Sequence, residues 1–182
     1  TLPGHETGGS FILFLRDPVA RVFASLVVEG LSPLTTMRLT GKDFSKTLSY
    51  KEGLSFDSIP VGTYSLSITH PLWKTGYSTT LQIAKEGIVS QGVPTGWIEL
   101  QALPLNASVT LDGKTCTLDT VSGVGTSPRL LAGSYSLKVN APYIRPFSAS
   151  VAVEAGKATA VSASFIQFGV LNLTSQASNV AV

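Results

Sequence analysis

The sequence predicts an all-β chain built from tandem small antiparallel β-sandwich modules with a partial third repeat. Three observations lead there. The decapeptide IPVGTYSLSI, Ile59 to Ile68, returns as LLAGSYSLKV, Leu130 to Val139. The spacing of that repeat holds elsewhere: Tyr64 and Tyr135 are 71 residues apart, as are Val109 in NASVTL and Val180 in SNVAV. Turn signals recur about every 8 to 12 residues, and no stretch of ten or more keeps a 3.6-residue apolar period with helix caps, which favours a sandwich over an α/β fold.

Composition narrows the class. Modules of about 70 residues bury only about 60% of their unfolded surface and gain from stacking on one another. Charged residues are 13% of the chain and mean hydropathy is +0.29, against about 25% charged residues in an ordinary soluble domain. That balance fits either a surface covered in an assembly or a Ser/Thr-rich extracellular coat. A net charge of +2 and pI near 8.7, with no Lys/Arg run or basic stripe, exclude nucleic acid as an expected partner. Cys116 is the one cysteine, so neither an internal disulfide framework nor a cysteine-rich zinc site is expected. It is read as a buried thiol, with intermolecular pairing as the alternative. No apolar run reaches the roughly 18 to 20 residues of a membrane span: FILFL is broken by Arg16-Asp17-Pro18 and VFASLVV by Glu29-Gly30. No secretion signal is present either, so an exported protein has lost it or carries it outside this stretch.

Taken in order, residues 1–9 lack periodicity and are read as a flexible tail, with His5 and Glu6 solvated. Residues 10–94 form the first module, 95–167 the second, and 168–182 the opening strand of an incomplete third. SFILFL, Ser10 to Leu15, is a short apolar strand that resembles SFIQF, Ser164 to Phe168, the expected closing strand of module two. After the Arg16-Asp17-Pro18 turn, Val19 to Val28 reads as a strand ending at Glu29-Gly30. LTTMRLTG, Leu34 to Gly41, matches NASVTLDG, Asn106 to Gly113, placing Met37 and Leu39 where Val109 and Leu111 stand. Gly41-Lys42 and Asp112-Gly113-Lys114 then supply tight hairpin turns.

In the founding decapeptide, Gly62 and Gly133 suit a turn with positive φ. Tyr64, Leu66 and Ile68, like Tyr135, Leu137 and Val139, alternate onto one core face, leaving the serines and Lys138 outside. Each module then has a proline-aromatic elbow, with Pro71 and Trp73 in one and Pro142 and Tyr143 in the other. A strand follows (Leu81 and Ile83; Val151 and Val153), then an acidic-Gly turn and a closing strand. The third unit is visible as an echo: FGVLNLTSQASNVAV at residues 168–182 repeats GWIELQALPLNASVTL in the middle of the chain.

The blocks GWIELQALPLNASVTLDGK and LLAGSYSLKVNAPYIRPFSASVAVEAGKATAVSASF resemble a PEGA repeat. This is a small surface-protein module related to the carboxypeptidase regulatory-like and transthyretin-like sandwiches. Residues 96–168 carry the closer match; residues 34–90 are nearer the regulatory-like pattern of a turn, PxGTY and a strand before an aromatic elbow. The namesake Pro-Glu-Gly-Ala run is absent, its nearest string being Pro104-Leu-Asn-Ala107, so the similarity rests on LDGK, AGSY and the VEAGK turn. It implies a non-catalytic spacer or interaction domain of extracellular or envelope proteins, including surface-layer proteins, with no catalytic residues to carry over.

The inventory of chemical groups agrees with a non-enzymatic expectation. There are two histidines, His5 in the tail and His70, expected as a half-exposed residue of the first elbow, and no Ser-His-Asp set is recognisable. The eleven carboxylates lack the spacing of a calcium loop, and Ser122-Gly-Val-Gly125 lacks the strand-helix context of a phosphate site. No cofactor is expected. Carbohydrate binding is the rival function, because Trp73, Tyr77, Trp97 and Tyr143 carry flat faces for sugar stacking; the alternative for Trp73 and Tyr143 is core capping, and Trp97 is the one expected to be most exposed. Asn106-Ala-Ser108 and Asn172-Leu-Thr174 fit the N-glycosylation pattern.

The reading that results is a structural module of a secreted or cell-surface protein whose partners are other copies of itself or further modules. Its terminal strands are the expected assembly elements: Phe11, Ile12, Leu13 and Phe14 at one end, and Val170, Leu171, Leu173, Val180 and Val182 at the other. Either is an apolar edge that can add to another subunit's sheet in a filament or layer.

Overall fold

The computed structural model describes residues 22–166, which are strand, turn and loop apart from one 3-10 turn at Tyr50–Glu52. The chain is all-β. Seven strands come first: β1 (Phe23–Glu29), β2 (Thr36–Thr40), β3 (Ser45–Ser49), β4 (Ser55–Pro60), β5 (Gly62–Thr69), β6 (Tyr77–Ile83) and β7 (Gly87–Gly92). They form two sheets, ordered β4-β1-β7 and β3-β2-β5-β6. Alternation decides what lies between them: Ala24, Leu26 and Val28 of β1 and Tyr64, Leu66 and Ile68 of β5 are all buried, with Phe56 and Ile59 of β4 completing the core. Burying each of the Val, Leu, Ile and Phe side chains among them contributes about 1.5–3 kcal/mol.

The second set repeats the plan. It comprises β8 (Thr95–Gln101), β9 (Ser108–Leu111), β10 (Lys114–Thr115), β11 (Asp119–Val121), β12 (Val124–Thr126), β13 (Leu130–Leu131), β14 (Gly133–Asn140), β15 (Phe147–Val153) and β16 (Ala158–Ser162). One sheet is β10-β9-β14-β15; the other is β11-β12-β8-β13, with β16 also paired to β8. The pairing register copies module one. Met37 faces Ile68 and Leu39 faces Leu66, as Val109 faces Val139 and Leu111 faces Leu137.

Both founding tyrosines are core, and each hydroxyl is satisfied by the carbonyl four residues upstream. Tyr64 Oη donates to Pro60 O at 2.6 Å and Tyr135 Oη to Leu131 O at 2.9 Å. A buried phenol needs such a partner, and here it also pins the strand preceding each hairpin to the one that follows.

Several expectations are refined. The first strand of each module pairs in parallel with the last: β1 with β7 and β8 with β16, within modules that are otherwise antiparallel. Asp112 (φ 49) and Gly113 (φ 78) form the predicted two-residue turn, whereas in module one residues 41–44 make a longer connection, closed by Gly41 N donating to Phe44 O at 2.7 Å. Gly62 is not among the residues with positive φ, while Gly133 has φ 153. Module two closes with β16, not with SFIQF: after the turn at Gly156 (φ 73) the run ATAVS pairs with β8, and Ser164 to Ile166 are irregular. Phe165 instead packs edge-on against Phe147, with ring centroids 6.0 Å apart.

Gly96 is required by space. A Cβ there would stand 2.1 Å from Glu154 O and 2.7 Å from Lys157 O, both main-chain atoms that cannot yield locally. The tail, the SFILFL strand with Phe11 to Phe14, and the third-unit strand with Val170 to Val182 lie outside the described residues.

Candidate functional site

The densest set of specific side-chain contacts in the described residues is the joint between the two modules, built by the first elbow, His70 to Lys74. The elbow begins where β5 ends, because Pro71 lacks the N–H that would continue the ladder. It is closed by Trp73 N donating to His70 O at 3.0 Å. This turn presents two side chains to module two. The Trp73 indole, only 3% exposed, donates Nε1–H to Arg129 O at 2.9 Å. Lys74 donates to Ser134 O, lies 3.3 Å from Asp112 Oδ1 and sits 5.4 Å from the Tyr135 ring centroid. In return Lys114, on the Asp-Gly turn of module two, donates to Pro71 O at 2.8 Å and Trp73 O at 2.9 Å.

A second contact closes the other side. Thr95 Oγ1 donates to Gly30 O at 2.5 Å, and Val93 N to Glu29 O at 3.1 Å. Gly30 has φ 83, and a Cβ there would lie 2.9 Å from Val93 O, so the joint needs glycine for both conformation and space. Pro33, Leu34, Leu118 and Pro128 line a groove of about 510 Å³ beside it.

His70 is buried, not half-exposed. Its Nδ1 accepts the Leu72 amide at 3.2 Å, which puts the ring proton on Nε2, where it donates to Pro33 O at 2.9 Å. The fold needs the neutral ring, since protonating Nδ1 would set two donors against each other. Burial is the main cause that lowers its pKa below the usual 6.5, the Pro33 carbonyl opposes this, and the Lys114 ammonium lowers it further. The contribution of neutral His70 is thus complete above the unfolded value of about 6.5 and declines as pH falls through the lower folded value. The expected outcome is a wild-type melting temperature that drops more steeply between neutral pH and about pH 5 than that of His70→Gln.

Burial likewise pushes the Cys116 thiol to about 11 and, with Asp112 adding to it, the Tyr135 phenol to about 12. Cys116 is free and buried.

The four aromatics expected to stack on sugars do not form one platform. Trp73 is enclosed by the joint and has no face to offer. Trp97, on the outer side of β8, is half-buried: the Arg129 guanidinium lies 4.1 Å from its ring centroid, and its Nε1–H donates to Glu99 Oε1 at 2.9 Å. Tyr77 is half-buried on β6, with Gln91 donating to its hydroxyl at 3.3 Å. Tyr143 stands 76% exposed on the second elbow with φ 60. Trp73 and Tyr143 are not equivalent, because the hydrogen bond matching Trp73 N to His70 O is Ile144 N to Ala141 O at 3.4 Å. The elbows therefore align as Leu72 with Tyr143, Trp73 with Ile144 and Lys74 with Arg145.

Sequence reasoning missed the clasp formed by Lys74, Asp112, Lys114 and Arg129. The repeated Gly-Lys at Gly41-Lys42 and Gly113-Lys114 was its one visible signal. Among the described residues, no group of three or more His, Cys, Asp or Glu side chains is placed to hold a metal ion, and no helix is long and apolar enough to cross a membrane.

No protein-family model matches the chain, and no curated protein matches it. Solved structures similar to it include two described here with their coverage. One is a minor pilin of the Gram-positive pathogen Streptococcus agalactiae, at 12% identity and a TM-score of 0.37, covering 85% of this chain and 100% of the pilin chain. The other is the Bacillus anthracis TIE protein, at 15% identity and a TM-score of 0.34, covering 80% of this chain. The match spans 34% of that protein's length.

Proposed function

We propose that the chain is a non-catalytic structural segment of a secreted or cell-surface protein, and that its modules transmit tension along a tandem array. The observation that carries this reading is the parallel pairing of first and last strands. Tension on module one enters at Val22 and leaves at Val93. Because β1 and β7 run the same way, those two points lie at opposite ends of one ladder of six paired positions, Ala24 with Gly87 through Glu29 with Gly92. Load then slides the strands past one another, and the ladder's bonds share it together instead of breaking singly. The β8–β16 ladder, Ala158 with Trp97 through Ser162 with Gln101, repeats the arrangement. Low charge in the sequence, the resemblance to PEGA-type surface modules and the apolar runs near both ends of the sequence support the same reading, with Phe11 to Phe14 or Val170 to Val182 proposed to add to a neighbouring subunit.

Single-molecule stretching tests it. Pulled from its ends, the chain is expected to unfold at markedly higher force than when held at residues 22 and 61, a geometry that peels β4 from β1. Equal forces in the two geometries would remove the mechanical reading.

A further inference from the structure

The internal joint has two halves, and each module carries a copy of both. Module one offers the elbow His70 to Lys74, and module two receives it with Asp112, Lys114, Ser134 and Tyr135. The unused copies are a second elbow at one end of the described chain and a second receiving hollow at the other.

The second elbow is Pro142 to Arg145, aligned with Pro71 to Lys74 by the hydrogen bond Ile144 N to Ala141 O. It keeps the proline and the cation but is uncovered: Tyr143 is 76% exposed where its counterpart Leu72 is 7% exposed. The second hollow, about 390 Å³, lies on module one and is lined by Lys42, Asp43, Val61, Thr63 and Tyr64 among others. Register makes two of these the counterparts of receiving residues, Thr63 of Ser134 and Tyr64 of Tyr135. Lys42 matches Lys114 in sequence, as the lysine after the turn glycine, while the residue paired with Leu39 as Lys114 is with Leu111 is Lys46. The acid has moved by sequence but not by role. Thr40 stands where module two has Asp112, and the neighbouring Asp43 supplies the carboxylate, close enough to push the Tyr64 phenol upward after burial, as Asp112 does for Tyr135. Val61 at the rim is 44% exposed.

We propose that the Pro142–Arg145 elbow of one copy seats in the Lys42–Tyr64 hollow of a second copy of this chain, reproducing the internal joint between molecules. Arg145 then takes the place of Lys74 and pairs with Asp43. Lys42 donates to the main-chain carbonyls of Pro142 and Ile144, and Tyr143 covers Val61. The internal joint is the argument for the occupant, since the same fold in this chain already receives this elbow in this hollow. The chain path agrees: Val61 N donates to Val22 O at 3.3 Å beside the hollow, and Arg145 N donates to Ile166 O at 3.0 Å on the elbow, so both ends of the described chain emerge where the copies meet. The two surfaces differ, so the contact is heterologous and propagates head to tail into a filament. This names the partner within the structural reading above and rests on it.

The test is the weight-average mass of the full chain by light scattering over a concentration series, with melting temperatures as a folding control. Wild type is expected to grow with concentration. Asp43→Arg and Arg145→Asp each place like charges across the joint and are expected to weaken association roughly tenfold or more. The double variant restores association, and so does an equimolar mixture of the two single variants, because each elbow then meets an opposite charge. A wild type that stays monomeric throughout overturns the proposal. Assembly indifferent to both reversals overturns it equally. A monomer that still unfolds at high force from its ends leaves the structural reading standing, whereas loss of that resistance strikes the reading itself.

Discussion

Replacing Trp73 with alanine is expected to lower stability by about 3–5 kcal/mol and to split unfolding into two transitions. Both effects follow from where the indole sits. It is 3% exposed, packs against His70 with ring centroids 5.8 Å apart, and satisfies Arg129 O across the joint. Truncation leaves a cavity in the elbow and a carbonyl of module two without its donor. Lys74 and Lys114 cannot compensate, since Lys74 Nζ is held 3.3 Å from Asp112 at an exposed site and such pairs contribute at most about 1 kcal/mol. Calorimetry of wild type should give one cooperative transition, and Trp73→Ala two. Trp73→Phe, which keeps much of the volume but loses the N–H, should cost less and keep the single transition.

The second large effect is expected at Leu137. This residue is fully buried on β14, paired with Leu111 on one side and Ala149 on the other. Leu137→Ala should cost about 2–5 kcal/mol. Its reach is the more informative quantity. With the joint intact, loss of module two removes the partners of Trp73 and Lys74, so amide exchange in β5 of module one should accelerate as well. In a Trp73→Ala background the same change should affect module two alone, a non-additivity expected of coupled sites.

Much of the fold was legible because alternation encodes it. Tyr64, Leu66 and Ile68, and their counterparts Tyr135, Leu137 and Val139, announce a strand and its inner face in the sequence itself, and Asp112-Gly113 announces a turn. Partner choice is not written that way. Nothing in FASLVVE or GIVSQG says that the two strands lie side by side in parallel, because a period of two fixes a face but not a neighbour. Ser122-Gly-Val-Gly125, set aside as a phosphate loop for want of a strand-helix context, carries the turn of the β11–β12 hairpin at Ser122 and Gly123, with φ 50 and 79, which the short flanking alternation does not announce.

The joint was less legible still. Its contacts pair residues 38 to 65 positions apart, and the clue that did exist, a proline with an aromatic in each elbow, aligned Trp73 with Tyr143 when the backbone aligns it with Ile144. That one-residue offset separates a buried clasp from an exposed surface. His70 misled for a related reason: a histidine beside a proline reads as an edge residue, and only the fold brings Pro33 O and the Leu72 amide to its two nitrogens.

The central claim is that the first elbow clasps the two modules into one body, and residual dipolar couplings from weakly aligned full-length protein test it most directly. Amides of β1–β7 and of β8–β16 should fit a single alignment tensor in the wild type and require two in Trp73→Ala. Separate tensors in the wild type would contradict the claim, because modules reorienting independently cannot be held by Trp73, Lys74 and Lys114.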